Sequence, residues 1–454
     1  MAAIGEDKNV DYLTEIAEFA ASFPSADLPT DAVKRTKVIM ADCIGAIAGG
    51  AAEAEPAALA RRLATGGTAS VIGTGLTAPP AQAALLNGTA GTWLEMDEGN
   101  QFCRGHPGIH AFPAAFSFAE AHGATGRDLI AAVAIGYEIG ARIGIAASLR
   151  PTMHPHGTWG SVAAAVAVQR LAGADAGRMR AAMNVASNLG LATSRRTMLE
   201  GGTVRNLFAG VSGQMGVLVH DLLDAGVCGE INGISHVFGK VVSEQLDEAA
   251  MTDALGTRWE VLRNYFKMHA CCRYNHAALD ALEMIQAEAA QPLDPDQIDR
   301  IEVESYWLAA ELSDQRPRNV LAGKFSVPFA LATTIVNGNS RVGSFTIDKV
   351  TDEAIRALAA RVTVREDPAM STALPDFRPA RVTVHLTDGT TLAAETETNR
   401  GDFEDPYQVD EIREKYLSLT TRQWPEAKAA EVWDAMMALD GAEKITGLSQ
   451  TIRA

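Results

Sequence analysis

Apolar residues recur at helical spacing through most of the first 265 residues. The clearest examples are AVKRTKVIMADCIGAIAGG (32–50), AQAALLNGTAGTWLEM (81–96) and RDLIAAVAIGYEIGARIGIAASL (127–149). An apolar residue at every third or fourth position turns one face of a helix toward a core. The same spacing returns from Asp410 to the end of the chain, as in EAKAAEVWDAMMAL. This pattern predicts a helical domain that is built from both ends of the sequence.

The pattern changes after Tyr265. Apolar and polar residues alternate with a period of two in IDRIEVESYW (298–307), ARVTVRED (360–367) and ARVTVHLTDGTTLAAETET (380–398). This alternation is typical of strands, and the last segment predicts a hairpin with its turn at Asp388-Gly389. Helical spacing is interspersed at 276–289, 326–337 and 352–360. We therefore predict a mainly α protein with two domains: a large all-helical domain from residues 1–265 and 402–454, and a smaller inserted α+β domain at 266–401.

The charge of the chain limits its partners. The 454 residues carry a formal net charge of −17, and 47% of them are hydrophobic. Such a chain repels phosphate groups, so neither nucleic acid nor an anionic membrane is an expected partner. An acidic small molecule remains compatible, because a pocket can be locally basic. No uninterrupted apolar run reaches about 18 residues, so no transmembrane helix is expected.

The cysteines and the N-terminus indicate a cytoplasmic location. The initial segment MAAIGEDKNVDYLTE contains acidic residues and no apolar core, unlike a signal peptide. The five cysteines form neither a CxxC pair nor a zinc-binding spacing. Both features favour a protein that stays in a reducing compartment. We expect the adjacent Cys271 and Cys272 to be packed thiols rather than nucleophiles.

The densest group of titratable residues lies in MDEGNQFCRGHPGIHAFP (96–113). This segment contains Asp97, Glu98, Arg104, His106 and His110 between two apolar helical stretches. We interpret it as a polar loop held between buried helices, where titratable groups acquire perturbed pKa values. A solvated surface connection is the alternative.

Two further groups of polar residues have a structural interpretation. Glu138 and Arg142 are four residues apart in a nearly uniform apolar helix, which favours a buried ion pair over a catalytic role. His154 and His156 form an HPH turn just before an alanine-rich helix. No third ligand follows at a diagnostic spacing, so a metal site is disfavoured here.

Cationic residues in the middle of the chain point to an anionic substrate. Arg205 lies in a glycine-flanked segment, and KMHACCRYNH (267–276) contains Lys267, His269 and Arg273. Lysine and arginine in loops beside buried helices suit a ligand with several carboxylates. Ordinary solvated surface charge is the alternative.

Several segments together resemble the MmgE/PrpD family, which includes methylcitrate dehydratases, cis-aconitate decarboxylases and iminodisuccinate epimerases. The matching motifs are ADCIGAIAGG (41–50), RGHP (104–107), GYE (136–138), HPxxxxG (from residue 154), GxxGQMG (near 210–216), KxxxxCxxxH (267–276), KFSVPFAL (324–331) and GDFEDP (401–406). The resemblance implies a helical domain with an α+β lid, an active site in the cleft between them, and a homodimer. It also implies that neither a metal nor an organic cofactor is needed.

The same resemblance implies site residues and four departures from the family pattern. His106, His154 and Lys267 match the family in residue type. The first aspartate of the acidic motif is replaced by Glu95, and the residue after the acidic pair, often threonine or serine, is Gly99. The site lysine of the glycine-flanked segment is Arg205, and an aromatic hydroxyl position is Phe329. These departures predict a pocket for an acid other than the tricarboxylate.

The expected activity is a lyase of the dehydratase type on a small hydroxy-polycarboxylate. The shared step moves a proton at a carbon next to a carboxylate, and nearby cations stabilise the resulting charge. The catalytic candidates are His106, His154, Lys267, Asp97 and Glu95; the substrate-binding candidates are Arg205, Arg104, His156, Arg273 and His269. An epimerase or isomerase that uses the same proton abstraction is the first alternative. A non-catalytic binder of acidic metabolites is the second.

Overall fold

The computed structural model describes residues 11–453 except Ala290. The protein is mainly α-helical with a smaller α+β part, which confirms the predicted fold class. Residues 1–10, on which most of the signal-peptide prediction rests, lie outside the described residues.

Both ends of the chain contribute helices to one body. Its hydrophobic core joins side chains from residues 13–266 with side chains from residues 412–452. Its helices are Tyr12–Ser22, Thr30–Ala51, Ala54–Leu63, Pro80–Gly91, Pro107–His122, Gly126–Ala146, Gly160–Leu171, Ala176–Ser187, Arg196–Leu199, Phe208–Asp224, Gly233–His236, Glu248–Thr252, Val409–Thr420, Glu426–Met437 and Thr446–Arg453. Three two-stranded pairings accompany them: Ala69–Val71 with Leu76–Ala78, Gly99–Asn100 with Asn264–Tyr265, and Ala147–Leu149 with Ser243–Leu246.

The Gly126–Ala146 helix runs through the centre of this body. By length and composition it could span a membrane, but 94% of its most apolar window is buried inside the protein. Arg142 Nε lies 2.7 Å from Glu138 Oε1, and both side chains are fully buried. Burial raises the pKa of Glu138 to about 7, although the Arg142 charge opposes that shift. The predicted buried ion pair is therefore present, in a core helix.

The α+β part is organised around one four-stranded sheet. Its order is Thr391–Thr396, Ala380–Leu386, Ile298–Ser305 and Val362–Glu366, and the last pair is parallel. Its helices are His276–Glu288, Trp307–Ala310, Val320–Lys324, Val327–Asn337, Ile347–Thr351, Glu353–Ala359 and Pro368–Thr372. A second hydrophobic core lies here, and Leu94, Met96 and Leu419 of the helical body join it. The domain boundaries at 265/266 and 401/402 stay a prediction.

The segment 96–113 is not a loop throughout. A helix begins at Pro107 and continues past Pro113, so the last seven residues of the predicted loop are helical. Proline suits the first helical turn because that turn needs no backbone N–H. Glu98 anchors this end of the helix: its Oε1 accepts a hydrogen bond from the Gly108 N–H at 2.8 Å, and its Oε2 accepts one from Tyr137 Oη at 3.1 Å. The helix start therefore fixes the position of His106, which directly precedes it.

Glu98 generates a prediction about pH. Burial raises its pKa to about 8 from an ordinary value of 4.5, so the folded protein holds a proton there that the unfolded chain releases. The stability contributed by the neutral carboxyl is complete below about pH 4.5 and is lost as the pH rises toward 8. We expect Glu98→Gln, which stays neutral, to raise the melting temperature relative to the wild type more at pH 8 than at pH 5.

The measurement is thermal unfolding of both proteins at the two pH values. Glu55→Gln is the matched control, because Glu55 is exposed on the Ala54–Leu63 helix and should show no such trend. A difference between Glu98→Gln and wild type that is the same at both pH values would contradict the assignment of a proton to Glu98.

Candidate active site

A cavity lies where the helical body meets the α+β part. The empty space between its walls and in its opening to solvent is about 510 Å³. Its walls are Glu95, Arg104, His106, Met153, His154, Pro155, His156, Arg195, Met198, Arg205, Tyr265, Cys272, Arg273, Tyr274, Phe325 and Arg378. Residues separated by almost 300 positions in the sequence thus surround one space, and five of them are arginines.

The contacts of one ring nitrogen, Nδ1, fix the position of His106. Its Nδ1 lies 2.7 Å from the Glu98 carbonyl oxygen and 2.9 Å from Asp97 Oδ2. The Nδ1–H donates to the carbonyl, while the Asp97 carboxylate lies off that line and acts through its charge. This contact fixes the tautomer and leaves Nε2 for a ligand in the cavity.

Asp97 and Lys267 form a buried layer behind His106. Lys267 Nζ is 3.9 Å from Asp97 Oδ1 and 3.5 Å from Glu95 Oε2. Burial alone would raise the pKa of Asp97, but the charges of His106 and Lys267 outweigh burial and lower it. Among the residues that the structure describes, neither Lys267 Nζ nor the Asp97 oxygens have a hydrogen-bond partner. Such unsatisfied buried charges are costly and are typical of functional sites.

Two of the departures from the family pattern are in contact with each other. Arg205 Nη1 forms a buried ion pair with Glu95 Oε1. A glutamate and an arginine here are thus a matched pair rather than two independent changes. Glu95 adopts a left-handed backbone conformation with φ of 57°, which is strained for a residue with a side chain. The strained turn directs the carboxylate toward Arg205.

His110 links the two histidine-containing segments. Its Nδ1 donates to the His106 carbonyl oxygen at 2.8 Å, and its Nε2 accepts from the Gly157 N–H at 3.4 Å. Burial lowers the pKa of His110 to about 4, which keeps this ring neutral. A Cβ at Gly160 would lie 1.9 Å from His110 Cδ2, so the close approach requires glycine. His110 is therefore a structural residue that places the HPH turn beside His106.

His154 and His156 are neutral because they are buried and near Arg205. Burial is the largest cause that lowers both pKa values, and the Arg205 charge is the second. Arg205 Nε donates toward His154 Nε2 at 3.3 Å, and the His156 backbone N–H toward His154 Nδ1 at 3.1 Å. A neutral imidazole accepts at one nitrogen only, so one of these bonds forms at a time. The His156 ring packs edge-on against His106, with centroids 4.6 Å apart.

The remaining predicted residues differ in their placement. Arg104 lies at the exposed rim, and Arg273 lines the cavity but is paired with Asp402. His269 is outside this cavity: its Nε2 is 2.9 Å from Asp280 Oδ1, and it faces a separate cavity. Its role in substrate binding stays a prediction. Phe329 is buried in the second core and does not line this cavity, so this departure does not shape the cavity wall directly.

Other residues of the cavity wall were missed by the sequence analysis. Tyr265, Tyr274 and Arg378 all line the cavity, and Arg195 contributes a cation that is paired with Glu311. Tyr265 lies two residues before the KxxxxCxxxH segment (267–276) and Tyr274 lies within it, so proximity to a motif was the available signal. Nothing in the sequence around Arg378 distinguishes it from other arginines of the α+β part.

Cys272 also lines the cavity, and its thiol is not activated. Burial raises the pKa of Cys272 to about 11 and that of its neighbour Cys271 to about 12. A thiol with such a pKa is protonated at neutral pH and is a poor nucleophile. This agrees with the expected packed thiols.

Asp97, His106 and His156 are the residues at this site that could bind a metal ion. One potential ligand atom from each lies within 4.8 Å of the others, and all three residues are buried. The positive charges of Lys267 and Arg205 lie beside this group and would repel a cation. His106 Nδ1 is also committed as a donor. The charges of the site favour an anionic ligand.

Two curated fungal proteins are similar to the chain over nearly its full length. Cis-aconitate decarboxylase of Aspergillus terreus is 24% identical over 469 residues, covering 97% of this chain and 95% of that protein. Cis-aconitate decarboxylase-like protein oryM of Aspergillus oryzae is 24% identical over 466 residues, covering 96% and 95%. These relatives support an enzyme of the carboxylate lyase type.

Two family domains also match the sequence, in the expected order. Residues 14–244 match the MmgE/PrpD N-terminal domain, and residues 269–440 match the MmgE/PrpD C-terminal domain. These matches cover most of the chain and include every residue of the cavity wall except Tyr265. The chain belongs to the MmgE/PrpD family.

Proposed function

We propose that this protein is a lyase that removes water from a small hydroxy-polycarboxylate without a metal ion. The observation that carries the proposal is the orientation of His106. Its Nδ1 is fixed by the Glu98 carbonyl and by Asp97, and its Nε2 is free to face a ligand in a cavity rich in cations. A histidine held in this way is suited to remove a proton from carbon.

In this proposal His106 is the general base and His154 is not. Burial and Arg205 keep His154 neutral and lower its pKa, and Arg205 donates toward its Nε2. His106 instead has the carboxylate of Asp97 beside it, which stabilises the positive ring after proton uptake. His154 therefore serves to orient Arg205.

Lys267 and Arg205 would stabilise the charge that develops on the substrate. When the Cα–H bond breaks, negative charge moves onto the adjacent carboxylate, and buried cations stabilise it strongly. Both side chains are almost fully inaccessible to solvent, so water screens them little. The electron pair then forms a C=C bond as the neighbouring C–O bond breaks. The hydroxyl leaves as water after it receives the proton from His106.

A decarboxylase is the second candidate, favoured by the similarity to the two cis-aconitate decarboxylase relatives. In that reaction the C–C bond to a carboxylate breaks, carbon dioxide leaves, and the remaining carbon takes a proton. The same base and cations would serve both reactions. A homodimer, a cytoplasmic location and a carboxylate as the only small-molecule partner remain part of this proposal.

A substrate screen tests the proposed function. We expect at least one hydroxy di- or tricarboxylate to exchange a Cα proton for deuterium in D₂O and to gain absorbance at about 240 nm from a new C=C bond conjugated to a carboxylate. Carbon dioxide release from cis-aconitate would instead indicate the decarboxylase. Exchange without absorbance change or gas release would indicate an epimerase. Binding with no exchange at any carbon would indicate a non-catalytic binder and reject the proposal.

A second prediction concerns the choice of base. We expect His106→Gln to lower kcat by about 10²- to 10⁴-fold on the substrate identified by exchange, because general-base catalysis typically contributes that much. His154→Gln should cost less, since His154 acts through Arg205.

The matched control is His122→Gln. His122 lies at the opposite end of the Pro107–His122 helix, far from the cavity, and should retain full activity. If both variants fold and kcat falls more in His154→Gln than in His106→Gln, the general base is His154 rather than His106.

A third prediction concerns the Glu95–Arg205 pair. Aspartate is shorter by one methylene, and lysine lacks the planar fork, so Glu95→Asp and Arg205→Lys should each lower the melting temperature and kcat/KM. We expect the double variant to be more stable and more active than the sum of the single losses predicts. The coupling should be about 0.5–3 kcal/mol. Additive losses across the thermodynamic cycle would show that the two residues do not act as a pair.

A further inference from the structure

Tyr265 occupies the space that Gly99 leaves open. The two residues are directly opposite each other in the short antiparallel pairing of Gly99–Asn100 with Asn264–Tyr265. A Cβ at position 99 would lie 2.4 Å from Tyr265 Oη and 2.5 Å from its Cζ. No side chain larger than hydrogen fits there while the phenol keeps its place. Position 99 therefore has no hydroxyl side chain, and the hydroxyl of Tyr265 lies in the space where such a side chain would be.

The Tyr265 hydroxyl has access to the cavity and no protein partner. The residue is 3% exposed and lines the cavity, and its ring lies edge-on to His106 with centroids 6.1 Å apart. Among the described residues, no hydrogen bond forms at its Oη. Burial raises the pKa of Tyr265 well above its usual range, which keeps the phenol protonated. A buried phenol normally finds a partner, so this O–H is available to a ligand.

Arg378 supplies a positive charge to the same wall. Its Nη2 donates to the Gln101 carbonyl at 2.9 Å, while its Nε is buried without a partner among the described residues. No carboxylate of the part of the chain described by the structure lies within 4 Å of this guanidinium. The neighbouring Arg273, which lies over the Tyr265 ring at 4.6 Å, is instead neutralised by Asp402. Arg378 therefore remains as an uncompensated, almost fully buried cation.

We propose that Tyr265 and Arg378 form a second carboxylate subsite, which binds the carboxylate that is not attached to the reacting carbon. This inference rests on the proposed function, because it names a substrate class for the same cavity. The subsite combines a neutral O–H donor with an unpaired guanidinium, whose charge-assisted hydrogen bonds suit a carboxylate. Arg205, on the cavity wall, and the charge of Lys267 behind that wall attract the first carboxylate near His106. The substrate class is therefore a short acid with at least two carboxylates.

Binding of two nearly isosteric acids tests the subsite without requiring turnover. Malate and 3-hydroxybutyrate share the carboxylate on the carbon that loses its proton and the neighbouring hydroxyl, and they differ only where malate has a second carboxylate and 3-hydroxybutyrate a methyl group. We expect wild type to bind malate at least about 10-fold more tightly than 3-hydroxybutyrate by titration calorimetry. Tyr265→Phe and Arg378→Gln should each weaken malate binding about 10- to 100-fold and change 3-hydroxybutyrate binding by less than about 2-fold. Citrate, as a larger probe, should follow malate.

The control is Tyr416→Phe, which removes a buried hydroxyl that bonds the Ala429 carbonyl far from the cavity. It should leave both affinities unchanged. Equal weakening of malate and 3-hydroxybutyrate binding in the variants would show that Tyr265 and Arg378 only support the fold, and would overturn the subsite. Equal affinity of wild type for the two acids would overturn it as well, while the proposed function would stand. Wild type that binds none of the three acids would reject both.

Discussion

The structure depends on a buried cluster of opposite charges at the junction of its two parts. Glu95, Asp97, Lys267 and Arg205 are each at most 2% exposed, so the free energy lost on leaving water must be recovered from their mutual attraction. That recovery is incomplete, because Lys267 Nζ and both Asp97 oxygens lack hydrogen-bond partners among the described residues. A cluster of this kind is costly to the fold, and it supplies strong fields to an anionic ligand. This cost in folding free energy indicates that the charge cluster serves function rather than stability.

The groups around this cluster are held by neutral polar residues that are themselves buried. Glu98, with its raised pKa, anchors the first turn of the Pro107–His122 helix and accepts the His106 ring hydrogen through its carbonyl. His110, with its lowered pKa, connects that turn to the HPH segment. Burial shifts the pKa of the acid upward and that of the histidine downward, so both remain uncharged at neutral pH. They position charged groups without adding charge.

The structure shows which contacts are made by the residues that depart from the family pattern. Glu95 pairs with Arg205, and Gly99 makes room for Tyr265. Phe329 packs in the core of the α+β part rather than at the cavity. Three of the four changes therefore have a partner in space, although more than 100 residues separate each pair in sequence. Different side chains placed in the site of a shared fold are how one fold serves different functions.

The sequence by itself determined the fold class, most of the helices and strands, and seven of the sixteen residues around the cavity. Hydrophobic periodicity is a local property, so the Gly126–Ala146 helix and the 380–396 hairpin follow from the neighbouring residues alone. The start of the helix at Pro107 did not follow, because Glu98 and the missing N–H of proline decide it together. Only the tertiary structure placed His269 outside the cavity and brought Tyr265 and Arg378 into it. The packing of helices and strands that are distant in the chain decides which side chains come into contact. The local sequence does not specify the distances between such elements.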